Sequence, residues 1–302
     1  MARYLDPKSD LTFKRIFGEH PHLLISFLNA IMPFEPGKFI EEIHYLPAEQ
    51  VPDILGKKNS IVDVKCTDNY KNQFIVEMQM FWTETFNNRM VFNAGKAYVR
   101  QLNKREEYNL IKPVYTLAII NDIFDHKTDN FYHHYQIVNR ENTDEVIKGL
   151  EFVLVELPKF SPQNFTDRKL ATLWLHFLKE VDEDMRTLPV ELQENEDIRQ
   201  AVELCEEAAF TPAELEAYEA YWDAVRVEKT IIADRKAIME EFEKTKAILE
   251  ESQVSLEKSF AEGEHKKAIE IAKNLKLAGV TTDIIAETTG LSINELNESH
   301  YY

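Results

Sequence analysis

The chain has 302 residues, 44% of them hydrophobic and 11% aromatic, with eight glycines and a formal charge of −18. This is the composition of a soluble globular protein, long enough for one large domain or two to three smaller units. No apolar run is long enough to span a membrane, the N-terminal "MARYLDPKSDLTFKRIFG" lacks the apolar core of a signal peptide, and Cys66 and Cys205, the only cysteines, form no zinc-ligand spacing. A reducing, cytoplasmic location is expected.

The charge is uneven. From Glu180 to Asp223, fifteen acids face two bases, Arg186 and Arg199, so this segment holds −13 of the total and the rest of the chain −5. The overall sign therefore leaves room for a nucleic-acid surface elsewhere.

In "DLTFKRIFGEHPHLLISFLNAIM" (10–32), apolar residues recur at three- and four-residue spacing, and Gly18 and Pro21 break the pattern into two short helices. Strands are expected near 39–46, at 60–81 as a pair, at 113–121, at 132–138 and at 151–157, with a helix over 84–105 whose stripe is Met90, Val91, Ala94, Ala97, Tyr98 and Leu102. The order is αβββαβ, a sheet flanked by helices. Tyr98 and Trp174 lie on apolar helix faces and are read as core. From 168 onward the pattern is helical throughout. Residues 224–262 contain no Gly or Pro, and Ile231, Ile238, Phe242, Thr245, Leu249 and Leu256 approximate a heptad seam, which suits either a partner chain or a solvated connector helix.

Residues 266–298 resemble a helix-turn-helix, with a capping box at Ser292 and Glu295. An ordinary helical hairpin is the alternative, and "SINELNESH" has no Arg or Lys to read bases. The expected organisation is a core over 1–165, an acidic helical segment over 166–223, a long helix over 224–265 and a small helical unit over 266–302.

Chemistry concentrates in "SIVDVKCTDNYKNQFIVEMQ" (60–79). Strand alternation places Val62, Val64 and Cys66 opposite Met78, Val76 and Phe74. The same register sets Asp63 opposite Glu77, with Lys65 and Gln79 beside them. Like charges directly opposite destabilise a strand pair by up to ~1 kcal/mol. Lys65 neutralises them, open water screens them, or a hard divalent cation binds both. The pairs His20/His22 and His133/His134 lack a third ligand, and no Walker loop, GxGxxG or GxSxG occurs.

"D-x-K" on one strand and "E-x-Q" on the next, between helices, resembles the PD-(D/E)XK nuclease core. More narrowly, the chain resembles the Rpn family of recombination-promoting nucleases, also described as PD-(D/E)XK family transposases. The pieces, in the family's order, are "DLTFKRIFG" (10–18), "IVDVKCTDNYKNQFIVEMQ" (61–79), "NRMVFNAGKAYVRQLNKREEYNLIKPVYTLAIIN" (88–121), "VELPKF" (155–160) and "LWLHFLK" (173–179). The resemblance covers roughly residues 1–180, and the "TGLSINEL" unit is similar to the family's C-terminal tail.

The resemblance implies a restriction-endonuclease-like α/β core, a mixed sheet flanked by helices, followed by an all-helical C-terminal region. It implies a bacterial, Mg²⁺-dependent DNA endonuclease linked to recombination, mobile elements or defence, with no organic cofactor and no membrane partner. Asp63 and Glu77 are then metal ligands, with Asp10 (or Glu19) as a third carboxylate; Asp10 reads equally well as a helix N-cap. Gln79 stands where the nuclease pattern has Lys, and Lys65 is the nearby source of positive charge. Lys14, Arg15, Arg89, Lys96 and Arg100 are the expected phosphate contacts, and the C-terminal helices the homodimer interface. The alternative is a catalytically inactive nuclease fold that binds DNA or a protein partner.

Overall fold

In the computed structural model of the chain, the described residues are 3–47, 49–50, 60–61, 63–103, 105–161, 169–185 and 188–298. They fall into two compact units, Met1–Lys229 and Thr230–Tyr302.

The N-terminal pattern breaks as expected into α1 (Asp10–Glu19) and α2 (Pro21–Ile31), with Pro21 in the first turn of α2, where its missing N–H costs no hydrogen bond. The N-cap of α1 is Ser9, whose hydroxyl accepts from the Thr12 amide, so Asp10 is not the cap but the first helical residue.

The strands are β1 (Ile43–Tyr45), β2 (Glu49–Gln50), β3 (Ser60–Ile61), β4 (Val64–Asp68), β5 (Gln73–Gln79), β6 (Val114–Ile120), β7 (Tyr132–Val138) and β8 (Val146–Glu156). Six form a mixed sheet in the order β1-β4-β5-β6-β8-β7, while β2 pairs only with β3. β5, β6 and β8 run parallel, with antiparallel strands completing the sheet on either side. The expected α/β core is what forms. In the hairpin, Val64 faces Val76 and Cys66 faces Phe74, the register that alternation predicts; Val62 lies outside the described residues.

Each face of the sheet is covered. On one side α1 and α2 pack with α4 (Lys169–Glu180) and α6 (Glu196–Glu203) around fully buried Trp174, Phe17 and Phe27. The short α5 (Val190–Gln193) adds Leu192 to that core, so the acidic segment is part of the packed body and not a detached tail. On the other side lies α3 (Glu84–Val99), which ends earlier than expected; its Ala94 and Ala97 sit on Ile75 and Val114. Small residues there let the helix approach the sheet closely.

The "VELPKF" stretch is a staple. Glu156, fully buried at the end of β8, accepts from the Phe124 and Asp125 amides at 2.6 and 3.0 Å, faces His133 at 2.9 Å and pairs with Lys159 at 2.7 Å. Lys159 also donates to the Asp125, Thr128 and Asn130 carbonyls, so one ion pair ties down the loop between β6 and β7. This also accounts for His133, which serves the staple.

The long helix α7 (Pro212–Leu277) starts twelve residues before the expected 224 and runs past 265. Its opening turns belong to the first unit, where Tyr218 packs on Leu5 and Phe210 and accepts a hydrogen bond from the Asp6 amide at 2.9 Å. In the second unit, Ala272 of α7 packs with Ile285 of α8 (Thr282–Thr289) and Leu296 of α9 (Ile293–Glu298). Gly279 and Gly290 close α7 and α8 at φ values of +82° and +73° that other residues rarely adopt. The Ser292–Glu295 capping box is present, with the Glu295 carboxylate accepting from the Ser292 amide at 2.8 Å. Among the described residues no helix is long and apolar enough to cross a membrane.

Candidate active site

Asp63 sits in the bend before β4, one residue short of the strand. Its Oδ2 accepts the Met78 amide at 2.7 Å, which ties the β4 start to β5. The carboxylate lines a cleft of about 310 Å³ together with Lys8, Asp10, Gln79, Tyr221 and Glu228. Burial pushes Asp63 up to about 7, against the pull of the Met78 N–H; the charges of Glu77 and Asp10 push it further and Lys14 relieves it.

Glu77 is on β5, buried and turned toward α3, where the Asn93 amide donates to it at 3.2 Å. Burial raises its pKa, opposed by the Asn93 hydrogen bond and the Arg89 charge. The face carrying Glu77 is therefore roofed by α3 and not open to water. Asn93 was not singled out from the sequence, although a polar residue between Met90, Ala94 and Ala97 on a buried stripe is the signal that marks it. Its Oδ1 is buried with no hydrogen-bond partner.

Gln79 is held at both ends. Its Nε2 donates to the Phe81 carbonyl at 2.8 Å and its Oε1 accepts from Arg89, whose guanidinium also lies over Phe86. Arg89 thus supports Gln79 before it meets any ligand. Asp10 lines the cleft and pairs with Lys14 at 2.7 Å, one helical turn on. Glu19 is at the opposite end of α1.

Two expected roles fail on geometry. Asp63 precedes β4, so the paired register ends at Val64 and does not reach it. Lys65 pairs across with Ile75 and is 9% exposed. Burial, then Arg100 and Lys96, lower its pKa, so its charge faces other cations and does not neutralise the acid pair. Arg15 is not a free phosphate contact: its guanidinium stacks 4.1 Å over Phe210, donates to the Ala209 carbonyl at 3.0 Å and lies 4.0 Å from Glu214. Lys96, over Phe92, and Arg100, the C-cap of α3, are half-buried on that helix. Lys104 lies outside the described residues.

The carboxylates of Asp10, Asp63 and Glu228 give the cleft oxygen ligands, which suit a hard cation such as Mg²⁺. Among the described residues no group of three or more His, Cys, Asp or Glu side chains is placed to hold a metal ion. The protein would then supply one or two carboxylates, the number Mg²⁺ takes when water and phosphate fill its other positions. Two buried acids held toward their neutral forms fit that group, since a cation would return both to the carboxylate.

The sheet topology, the acids at the start of β4 and on β5 and the covering helices define a restriction-endonuclease-like fold. The model of the PD-(D/E)XK nuclease family transposase matches residues 7–235, and the chain belongs to that family. The match extends past Tyr221 and Glu228, so the opening of α7 is part of the family region. No curated protein and no solved structure gives a significant match.

Proposed function

We propose that this nuclease-family chain is a metal-dependent endonuclease that hydrolyses phosphodiester bonds in DNA. The observation that carries the reading is Asp63: a carboxylate kept desolvated beside the charges of Glu77 and Asp10, at the edge of a cleft of about 310 Å³. Asp63 and Glu77 would hold Mg²⁺ or another divalent cation, and Asp10, on the cleft wall and paired with Lys14, adds negative charge beside them. When bound, such a cation lowers the pKa of coordinated water and neutralises charge on the scissile phosphate.

The chain's own residues orient these groups. The Met78 amide fixes the Asp63 carboxylate, Asn93 fixes Glu77, and Arg89 with the Phe81 carbonyl fixes Gln79. Gln79 can donate and accept hydrogen bonds but cannot take up a proton as a base. Lys14, Lys96 and Arg100 would position the DNA backbone without reading sequence. The biological setting implied by the family is recombination, mobile elements or defence in the bacterial cytoplasm.

A homodimer through α7 goes with this reading. Ile231, Ile238, Phe242, Leu249 and Leu256 are each more than half exposed along one seam. Paired Phe242→Glu and Leu249→Glu changes should shift sedimentation from dimer to monomer; a wild type that already sediments as a monomer contradicts the interface.

A second reading, a nuclease fold that binds without cutting, draws on Glu77 and Gln79, whose side chains are both engaged within the protein. Covalently closed plasmid separates the two. An endonuclease nicks it with Mg²⁺ and stops with EDTA, whereas the binding protein shifts its mobility and leaves it closed.

A further inference from the structure

The donors that line the cleft are few, and most are already committed. Asp10, Asp63 and Glu228 are acids that repel a phosphate unless a cation intervenes. Lys8, 7% exposed, spends its ammonium on Asp6 at 2.9 Å and on the Leu178 carbonyl at 3.0 Å. Gln79 is held by the Phe81 carbonyl at Nε2 and by Arg89 at Oε1, which fixes its orientation and leaves one N–H.

Tyr221 is held less firmly. Its hydroxyl donates to the Lys8 carbonyl at 3.3 Å, a distance at the long end for an O–H···O bond and so readily exchanged for a better acceptor. The ring stands on α7, whose opening turns are anchored by Tyr218 and Trp222 against the N-terminal segment. A rigid helix carrying a neutral donor to a cleft of carboxylates is a means of meeting an anion without neutralising the metal ligands.

We propose that Tyr221 contacts the substrate, donating its hydroxyl to a non-bridging oxygen of a DNA phosphate seated in the cleft. The helix that follows the α/β core thereby completes the active site. This rests on the nuclease reading and adds a substrate-binding residue to it. Burial holds the Tyr221 phenol well above the usual tyrosine range, and the charges of Asp63, Asp10, Asp6 and Glu228 push in the same direction, so it stays a donor.

Tyr221→Phe removes only the hydroxyl and keeps the ring packing. The experiment compares the full-length wild type, Tyr221→Phe and Asp63→Asn for Mg²⁺-dependent nicking rate, for KM, and for affinity toward a short duplex with Ca²⁺ replacing Mg²⁺. A lost hydrogen bond to a charged phosphate should lower kcat/KM by about 10- to 100-fold, with the melting temperature and the Mg²⁺ dependence unchanged. Tyr221→His, which restores a donor on a smaller ring, should recover part of the loss.

If Asp63→Asn is inactive while Tyr221→Phe cuts and binds as the wild type does, Tyr221 does not touch the substrate and the nuclease reading stands. If Tyr221→Phe loses rate only through a lowered melting temperature, its role is structural and the proposal fails. If the wild type cuts nothing, the nuclease reading falls, and equal duplex affinity of wild type and Tyr221→Phe then rejects the phosphate contact as well.

Discussion

Asp63→Asn should make the metal-free protein more stable at pH 8, by about 1–3 kcal/mol or roughly 2–10 °C. The folded pKa of Asp63 is pushed up to about 7 from 3.8, so between those values the folded state binds more protons than the unfolded chain. Stability from this group therefore falls as pH rises from about 4 to 7, and above 7 the ionised carboxylate sits desolvated beside other acids. Asparagine keeps an acceptor for the Met78 amide and removes the charge. The gain is set below the full shift because the carboxylate lines an open cleft that water can reach.

The difference between the two proteins should shrink as the pH falls below 7 and approach zero only near pH 4, where Asp63 is protonated in the unfolded chain as well. Added Mg²⁺ should reverse their order, since only the wild type gains stability from binding. Melting curves in EDTA and in Mg²⁺ across pH 4–9 check all three statements. An Asp63→Asn protein that melts lower at every pH would mean that the carboxylate supports the fold and is not held there against it.

Lys159→Met should have the opposite sign and a larger size. It strands a fully buried Glu156 carboxylate and leaves the Asp125, Thr128 and Asn130 carbonyls without their donor. Breaking a buried pair from one side costs about 3–5 kcal/mol, a fall on the order of 10 °C. Glu156→Gln combined with Lys159→Met should recover part of that loss by removing the stranded charge.

The pH dependence is also reversed relative to Asp63. Burial pushes Glu156 up, but Lys159, the Asp125 amide, His133 and the Phe124 amide outweigh it and hold the carboxyl below 4.5. Its contribution is present above pH ~4.5 and is lost as the pH falls through the depressed folded value. Urea melts of the single and double variants at pH 4 and pH 7 measure both effects; a Lys159→Met protein as stable as the wild type would contradict the staple.

The hairpin shows where local pattern suffices. Strict alternation of apolar residues on β4 and β5 left one good register, because a one-residue slip would turn Val64, Cys66, Phe74 and Val76 out of the core. That register does not extend to Asp63 because the strand begins one residue later, a boundary that alternation does not mark. The first half of β8 went unread because Lys148 and Gly149 interrupt its pattern; pairing with β7 carries the strand through them.

Long-range partners were the least legible part. Arg15 reads as a surface base on α1 until Phe210 is brought over it, and Tyr221 reaches the cleft through a contact 213 residues away in sequence. A local signal for the second did exist: Tyr218, Tyr221, Trp222 and Val225 recur at helical spacing, which marks the opening of α7 as packed and not solvated.

The most direct measurement of the central claim, that Asp63 holds the cation on which phosphodiester cleavage depends, is the Mg²⁺-dependent nicking rate of closed plasmid by wild type and by Asp63→Asn, with both folded at the assay temperature. Loss of an essential metal ligand should lower the rate by at least about 1,000-fold while the mutant still binds duplex DNA. Equal nicking by the two proteins would place any nuclease chemistry elsewhere and leave Asp63 as a buried acid with a structural role.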